Sequence, residues 1–139
     1  MSEVYRFNSF DEAMEAVTWG GWNLEYVRPD LQTPEMAMIA VKGNSHSLEF
    51  VRPDLQTTEL AEIAVKWSGW SLEFVRPDLQ TPELALAAVK DRAWALQFIP
   101  AHLQTKGVIE AALKQDPDAK KFIKVKEMFK NALEEVESD

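Results

Sequence analysis

The sequence predicts an all-α protein, an α-α solenoid (superhelix) of about five 24-residue helical-hairpin repeats closed by a C-terminal capping helix. Three observations lead to this fold. One stretch recurs three times, as LEYVRPDLQTPEMA from Leu24, LEFVRPDLQTTELA from Leu48 and LEFVRPDLQTPELA from Leu72. A helix-start signal and a helical stripe of apolar residues recur at the same spacing. A fixed period of about 20–50 residues is typical of repeat architectures.

The period divides the 139 residues into one repeat domain with two different ends. We expect an N-terminal cap over 1–8, repeats over 9–32, 33–56, 57–80, 81–104 and 105–123, and a capping helix with a frayed end over 124–139. A solenoid needs terminal elements with a polar outer face, and the Lys/Glu-rich C-terminal segment suits that role. By analogy with other helical-hairpin solenoids, the stack is expected to be right-handed.

A helix start is predicted in every repeat. The first position of each repeat is a small hydroxyl residue, the preferred N-cap because its oxygen accepts from free N–H groups of the first turn. These residues are Ser9, Thr33, Thr57, Thr81 and Thr105. Pro34 and Pro82 follow directly, where a missing N–H costs nothing. An acid two residues after the N-cap, such as Glu35 or Glu83, suits the positive end of the helix dipole.

The buried face of this helix is a stripe that includes one invariant alanine position. Apolar residues stand at i, i+1, i+4 and i+5, a helical pattern. The alanines are Ala16, Ala40, Ala64, Ala88 and Ala112, and their small size predicts close approach of a neighbouring helix. A second, brief helix follows in the first four repeats and ends before a proline. Its first residues Trp22, Trp70 and Trp94 are expected to pack in the core. The Arg-Pro-Asp-Leu-Gln segment after it is predicted to form one helical turn.

Composition limits the classes of protein that the chain can represent. An apolar fraction of 46% indicates a folded chain. The absence of cysteine excludes disulfides and thiolate metal sites. No secretory signal and no membrane span are recognisable, so we expect a cytoplasmic protein. Residues 1–104 hold 8 Lys/Arg against 15 Asp/Glu, a net charge of −7, which opposes direct nucleic-acid binding.

The repeat words resemble a known bacterial family. Ala64-Val65-Lys66 followed by Gly69-Trp70-Ser71-Leu72, then Leu79 and Ala88-Val89-Lys90, are similar to the helical repeats catalogued as domain of unknown function 4116. The resemblance covers about residues 9–123 and is clearest over 57–112. Thr-Pro-Glu at the helix start and Ala93 in place of glycine depart from the family pattern. The resemblance implies stacked helical hairpins, and it implies no activity, cofactor or catalytic residue.

No recognisable enzyme motif is present. There is no Gly-rich dinucleotide or phosphate loop and no H-E-x-x-H metal motif, so we assign no catalytic, cofactor or metal residues. His46 and His102 lie at different positions of different repeats, which favours incidental surface histidines. An enzyme would require a cleft that joins one of them to two carboxylates. No small-molecule substrate and no membrane partner are indicated either.

The arginines Arg28, Arg52 and Arg76 recur once per repeat, close to acids at two positions. Glu25 and Arg28 stand at i, i+3, the spacing of an ordinary helical ion pair. In a solenoid these arginines should line one face, and such a ladder could bind an acidic partner through bidentate guanidinium–carboxylate pairs. Recent tandem duplication is the alternative reason for their identity, because exposed and buried positions are copied alike.

Trp19 and Trp67 are the other candidate contact residues. They stand at the end of the first helix, where the other repeats have Gly43, Asp91 and Gln115, so the position is not expected to be buried in every copy. Exposed tryptophan is enriched in binding hot spots. The sequence therefore favours a non-enzymatic protein-interaction module with a protein partner bound by Trp19, Trp67 and the arginines. The alternative is an acidic inhibitor or nucleic-acid mimic, for example a phage counter-defence factor.

Overall fold

A computed structural model describes residues 5–124, and the secondary-structure elements within that range are α-helices and 3₁₀-helices. Five α-helices of ten residues follow one another, and each starts 24 residues after the one before it. They are α1 (Phe10–Trp19), α2 (Pro34–Gly43), α3 (Thr58–Trp67), α4 (Pro82–Asp91) and α5 (Lys106–Gln115). The all-α prediction is confirmed for these residues. The predicted capping helix over 124–139 and residues 1–4 of the N-terminal cap lie outside the described residues, apart from Lys124.

The predicted N-caps are confirmed in all five α-helices. Ser9 Oγ accepts from the backbone N–H of Glu12 at 3.2 Å, and the four threonines make the same bond three residues on, at 3.1–3.3 Å. Each bond satisfies one of the N–H groups that a helix start leaves without an intrahelical partner. The copied Thr-Pro-Glu and Thr-Thr-Glu words therefore serve as helix starts.

The second helix of each 24-residue segment is a six-residue 3₁₀-helix. These helices span Gly21–Tyr26, Ser45–Phe50, Gly69–Phe74, Ala93–Phe98 and Pro117–Phe122. A three-residue 3₁₀ turn follows each of the first four, at Pro29–Leu31, Pro53–Leu55, Pro77–Leu79 and Ala101–Leu103. The predicted helical turn is thus confirmed, and a tight helix with about three residues per turn stands where a short helix of unspecified type was expected.

Each α-helix contacts the next one, and each long 3₁₀-helix contacts the next one in a second row. The leucines of the 3₁₀-helices and the apolar stripes of the α-helices fill the space between the rows. Leu48, Leu72 and Leu96 are at most 1% exposed, and the four alanines from Ala40 to Ala112 are fully buried. A Cβ atom on Gly21 would collide with the carbonyl group of Ala40, which shows how closely a 3₁₀-helix approaches the following α-helix. The close approach predicted from the alanines is confirmed.

Buried glutamines connect successive segments, and we call each 24-residue segment that starts at an N-cap a unit. Gln32 Nε2 donates to Phe50 O at 2.6 Å, and its Oε1 accepts from Arg52 N at 2.9 Å. Gln56 repeats both bonds with Phe74 and Arg76, and Gln104 with Phe122 and Lys124. Since the partners lie 18 and 20 residues further along the chain, each glutamine ties its unit to the backbone of the next.

Gln80 makes only half of this connection. Its Nε2 donates to Phe98 O at 3.0 Å, while its buried Oε1 has no hydrogen-bond partner. The reason lies in the sequence, because the residue that should donate is Pro100, which has no backbone N–H. The connection from the third to the fourth unit therefore lacks one hydrogen bond that the other glutamines make.

Candidate functional site

Trp19 and Trp67 are the most exposed large apolar residues that the structure describes, at 80% and 72%. Each is the last residue of its α-helix, where the chain turns into the 3₁₀-helix. Trp22 stands beside Trp19, with ring centroids 6.1 Å apart in an edge-on arrangement. We call the surface formed by Trp19, Trp22, Trp67 and Trp70 the tryptophan edge.

The prediction that Trp22 and Trp70 pack in the core is wrong. They are 49% and 37% exposed, and of the three only Trp94 is half-buried, with its Nε1 donating to Asp116 at 2.7 Å. The cause is the 3₁₀ geometry. Residues three apart share a face, so Leu24 falls beside Gly21 and Val27 on the buried side while Trp22 falls beside exposed Glu25. The tryptophan edge consequently has two members that the sequence pattern did not assign to it.

At the position of Trp19 and Trp67, the fourth and fifth units have polar residues that accept hydrogen bonds from the backbone. Asp91 Oδ2 accepts from Gly69 N at 2.7 Å, and Gln115 Oε1 accepts from Ala93 N at 2.5 Å. Both bonds satisfy the first N–H of a 3₁₀-helix in the preceding unit. The same position holds Asp or Gln in some units and exposed Trp in others. Tryptophan at this position is therefore not required for folding.

The same bond can be built at Gly43, where a Cβ would lie an ordinary 3.5 Å from Gly21 N. We expect Gly43→Asp to be more stable than Gly43→Ala by about 1 kcal/mol, because its carboxylate can accept from the Gly21 N–H. Urea unfolding of the two variants measures the difference. Gly43→Ala is the control without an acceptor, and its helix propensity is better than that of aspartate by about 0.5 kcal/mol. A Gly43→Asp protein less stable than Gly43→Ala by this amount would contradict the expected bond.

The three arginines each bind an aspartate two residues further on. Arg28 Nε and Nη2 donate to Asp30 Oδ1 and Oδ2 at 3.1 and 2.8 Å, and the same fork recurs at Arg52–Asp54 and Arg76–Asp78. The Arg28 hydrogen bonds lower the pKa of Asp30, and those of Arg76 lower that of Asp78. The expected pairing of Arg28 with Glu25 is wrong because, at the end of the 3₁₀-helix, the chain extends and turns so that Asp30 meets the guanidinium.

Two of these arginines also contact the preceding unit. Arg76 Nη1 donates to Pro53 O at 3.0 Å, and Arg52 Nη1 to Pro29 O at 3.4 Å. The arginine side chains therefore have a structural role that the sequence did not reveal. We call Arg28, Arg52 and Arg76 the arginine row. An acidic partner there would compete with the aspartates for the bidentate face of each guanidinium.

The structure does not bring the two sets of candidate residues together. Trp19 and Trp67 lie at the C-terminal ends of their α-helices, whereas each arginine precedes the N-cap of the following α-helix by five residues. A ten-residue α-helix is about 15 Å long, so the tryptophan edge and the arginine row lie at opposite ends of the helices. A partner at one surface does not automatically reach the other.

The two histidines are likewise apart. His46 lies in the 3₁₀-helix of the second unit and His102 in the short turn of the fourth, and both are exposed. Over residues 5–124, no three His, Asp or Glu side chains are grouped so that they could hold a metal ion. Within the same range no helix combines the length and apolar character needed to cross a membrane.

Comparison with known proteins found one family model that matches part of the chain. Residues 33–80 match the family model described as Domain of unknown function (DUF4116). This match confirms the resemblance that the repeat words suggested, over the second and third units. No curated protein matches the chain, and no solved structure does.

Proposed function

We propose that the chain is a non-enzymatic protein-interaction module, built as an α-α solenoid of about five helical-hairpin units and acting in the cytoplasm. The recurrence of the same elements at 24-residue spacing, with each unit contacting the next, supports this architecture. Elongated repeat surfaces suit binding along an extended face. The proposed partner is a protein, and the negative charge does not favour nucleic acid.

The tryptophan edge carries the proposal. Leaving Trp19 and Trp67 largely in water forgoes about 1.5–3 kcal/mol of burial for each side chain. Equivalent positions accept Gly, Asp or Gln, so the fold does not require this exposure. Tryptophan contributes strongly when a partner covers it, and two anchors on one side of the stack suit a protein surface. The arginine row is proposed as a second contact surface for acidic groups.

The experiment compares capture of partners by the parent protein and by Trp19→Gln/Trp67→Gln. Gln115 occupies the same position, so the double variant is expected to fold. Glu49→Gln/Glu73→Gln, at exposed positions of the 3₁₀-helices, is the control. We expect proteins captured from the native host by parent and control to be lost by the tryptophan variant, measured by quantitative mass spectrometry. Equal capture by all three would contradict the tryptophan edge as the contact surface.

The acidic-inhibitor hypothesis remains the alternative. Its carboxylates would have to stand on one face without cations, and the recurring aspartates Asp30, Asp54 and Asp78 are each bound by an arginine. Competition of captured partners by DNA in moderate salt is the result that would favour this alternative over the interaction module.

A further inference from the structure

The outer face of α1 differs from the corresponding face of the other four α-helices. In α4, Leu84, Ala87, Ala88 and Asp91 stand at i, i+3, i+4 and i+7, and three of them line a cleft shared with α3. This is the face that each later helix turns toward the preceding unit. Its counterparts in α1 are Glu12, Glu15, Ala16 and Trp19.

Two carboxylates replace apolar residues on this face of α1. The position of Glu12 is buried and apolar in the later helices, as Met36, Leu60, Leu84 and Val108. The position of Glu15 is Ile39, Ile63, Ala87 and Ala111. Ala16 is only half-buried, whereas its four counterparts are fully buried. Among the described residues this face is thus less covered than its counterparts, and its sequence differs from that of a face that packs on a like unit.

A groove of about 960 Å³ runs along this face. Its apolar lining includes Phe7, Phe10, Met14 and Trp19, and its acidic lining consists of Asp11, Glu12 and Glu15. No lysine or arginine lines it among the described residues. We call it the α1 groove. Its lining combines large apolar side chains with three negative charges.

We propose that the α1 groove binds a basic amphipathic helix of a partner protein. Apolar residues on one face of such a helix would pack against Phe10, Met14 and Trp19. Lysines or arginines beside them would pair with the carboxylates.

A second copy stacked through an apolar unit face would bury Glu12 and Glu15 without partners, which is costly. A polyanion would be repelled by the same charges. The inference rests on the proposed function and deepens it, because it adds a groove that adjoins the tryptophan edge at Trp19 and names the chemistry of its ligand.

The test uses a defined probe, a fluorescently labelled synthetic helix of 15 residues with leucines at i, i+3, i+4 and i+7 and lysines elsewhere. Its affinity for the parent protein is compared with that for Glu12→Gln/Glu15→Gln by fluorescence anisotropy. We expect the variant to bind about five- to tenfold more weakly, as the loss of two partly exposed ion pairs implies. We also expect the parent to lose affinity as salt rises.

Glu25→Gln/Glu49→Gln is the matched control, because it removes the same two charges from exposed positions outside the α1 groove. The control is expected to keep the parent affinity within about twofold. Equal weakening in both double variants, or no binding of the probe by the parent, would overturn the proposal. Sedimentation that showed the parent to dimerise, with the dimer lost in Glu12→Gln/Glu15→Gln, would assign the groove to a second copy and overturn it too. Trp19 belongs to both surfaces, but these readouts compare variants of Glu12 and Glu15, which are not part of the tryptophan edge. Failure here and failure of the tryptophan edge are therefore distinguishable.

Discussion

Gln56→Met is expected to lower the free energy of unfolding by about 2–4 kcal/mol, because two part-buried backbone groups lose their hydrogen bonds. These groups are Phe74 O and Arg76 N, which the Gln56 amide binds at 2.6 and 2.9 Å. Methionine keeps the length of the side chain and fills the same space, so the loss comes from hydrogen bonding and not from a cavity. Urea unfolding followed by circular dichroism measures it.

Gln80→Met provides the matched comparison. Gln80 has the same burial and the same donor bond, but Pro100 leaves its Oε1 without a partner. Its replacement should therefore cost about 1 kcal/mol less than that of Gln56, since one hydrogen bond fewer is lost. Equal costs at the two positions would show that the Arg76 N–H contributes nothing to the connection between units.

Ala64→Leu is expected to destabilise the protein by about 3 kcal/mol, because three additional carbons must enter a site that has no room for them. Ala64 is fully buried between its own unit and the preceding one. The close approach of Gly21 to the backbone of Ala40 shows that the 3₁₀-helices pack at this position without a gap. Thermal and urea unfolding of the variant test the expectation.

Ala16→Leu is the control at the equivalent position of α1. Ala16 borders the α1 groove and is half-buried, so a leucine there can project into the groove. Its effect on stability should stay within about 0.5 kcal/mol. A loss as large as that of Ala64→Leu would mean that the outer face of α1 is packed as tightly as the faces inside the stack.

The helices and their starts could be predicted from the sequence because their signals are local. Thr33 caps its helix by accepting a hydrogen bond from a backbone N–H only three residues further along the chain, and Pro34 restricts the backbone directly after it. The apolar stripe that contains Ala40 and Val41 reports one face of a ten-residue helix. A repeated period strengthened each of these signals, since every local observation was made several times.

The long-range hydrogen bonds could not be predicted in the same way. Gln32 looks like an ordinary polar residue in a turn, and nothing near it in sequence shows that it binds a backbone carbonyl 18 residues away. The 3₁₀ geometry was also missed, because a six-residue helix is too short for a period of 3.0 to be distinguished from 3.6. The misplacement of Trp22 follows from that single error.

For the candidate site, variability within the repeats was the informative signal. Trp19 and Trp67 were inferred to be exposed from the Gly and Asp that replace them, and the structure confirms their exposure. The arginine forks were assigned to the wrong acid because the turn geometry after Val27 determines which carboxylate meets Arg28. The same comparison of equivalent positions distinguishes Glu12 and Glu15, because the other repeats have apolar residues there.

The glutamine connections also bear on how such a chain changes over generations. Each one joins a side chain of one unit to backbone atoms of the next, and the sequence around the glutamine is the same in successive copies. An in-frame gain or loss of one 24-residue copy among the first three units would place another glutamine opposite another Arg N–H and keep the bonds. Pro100 breaks this equivalence, so a copy taken from the fourth unit would carry a weaker joint wherever it was inserted. Length variation in the gene is therefore best tolerated where the LEFVRPDLQT words remain intact.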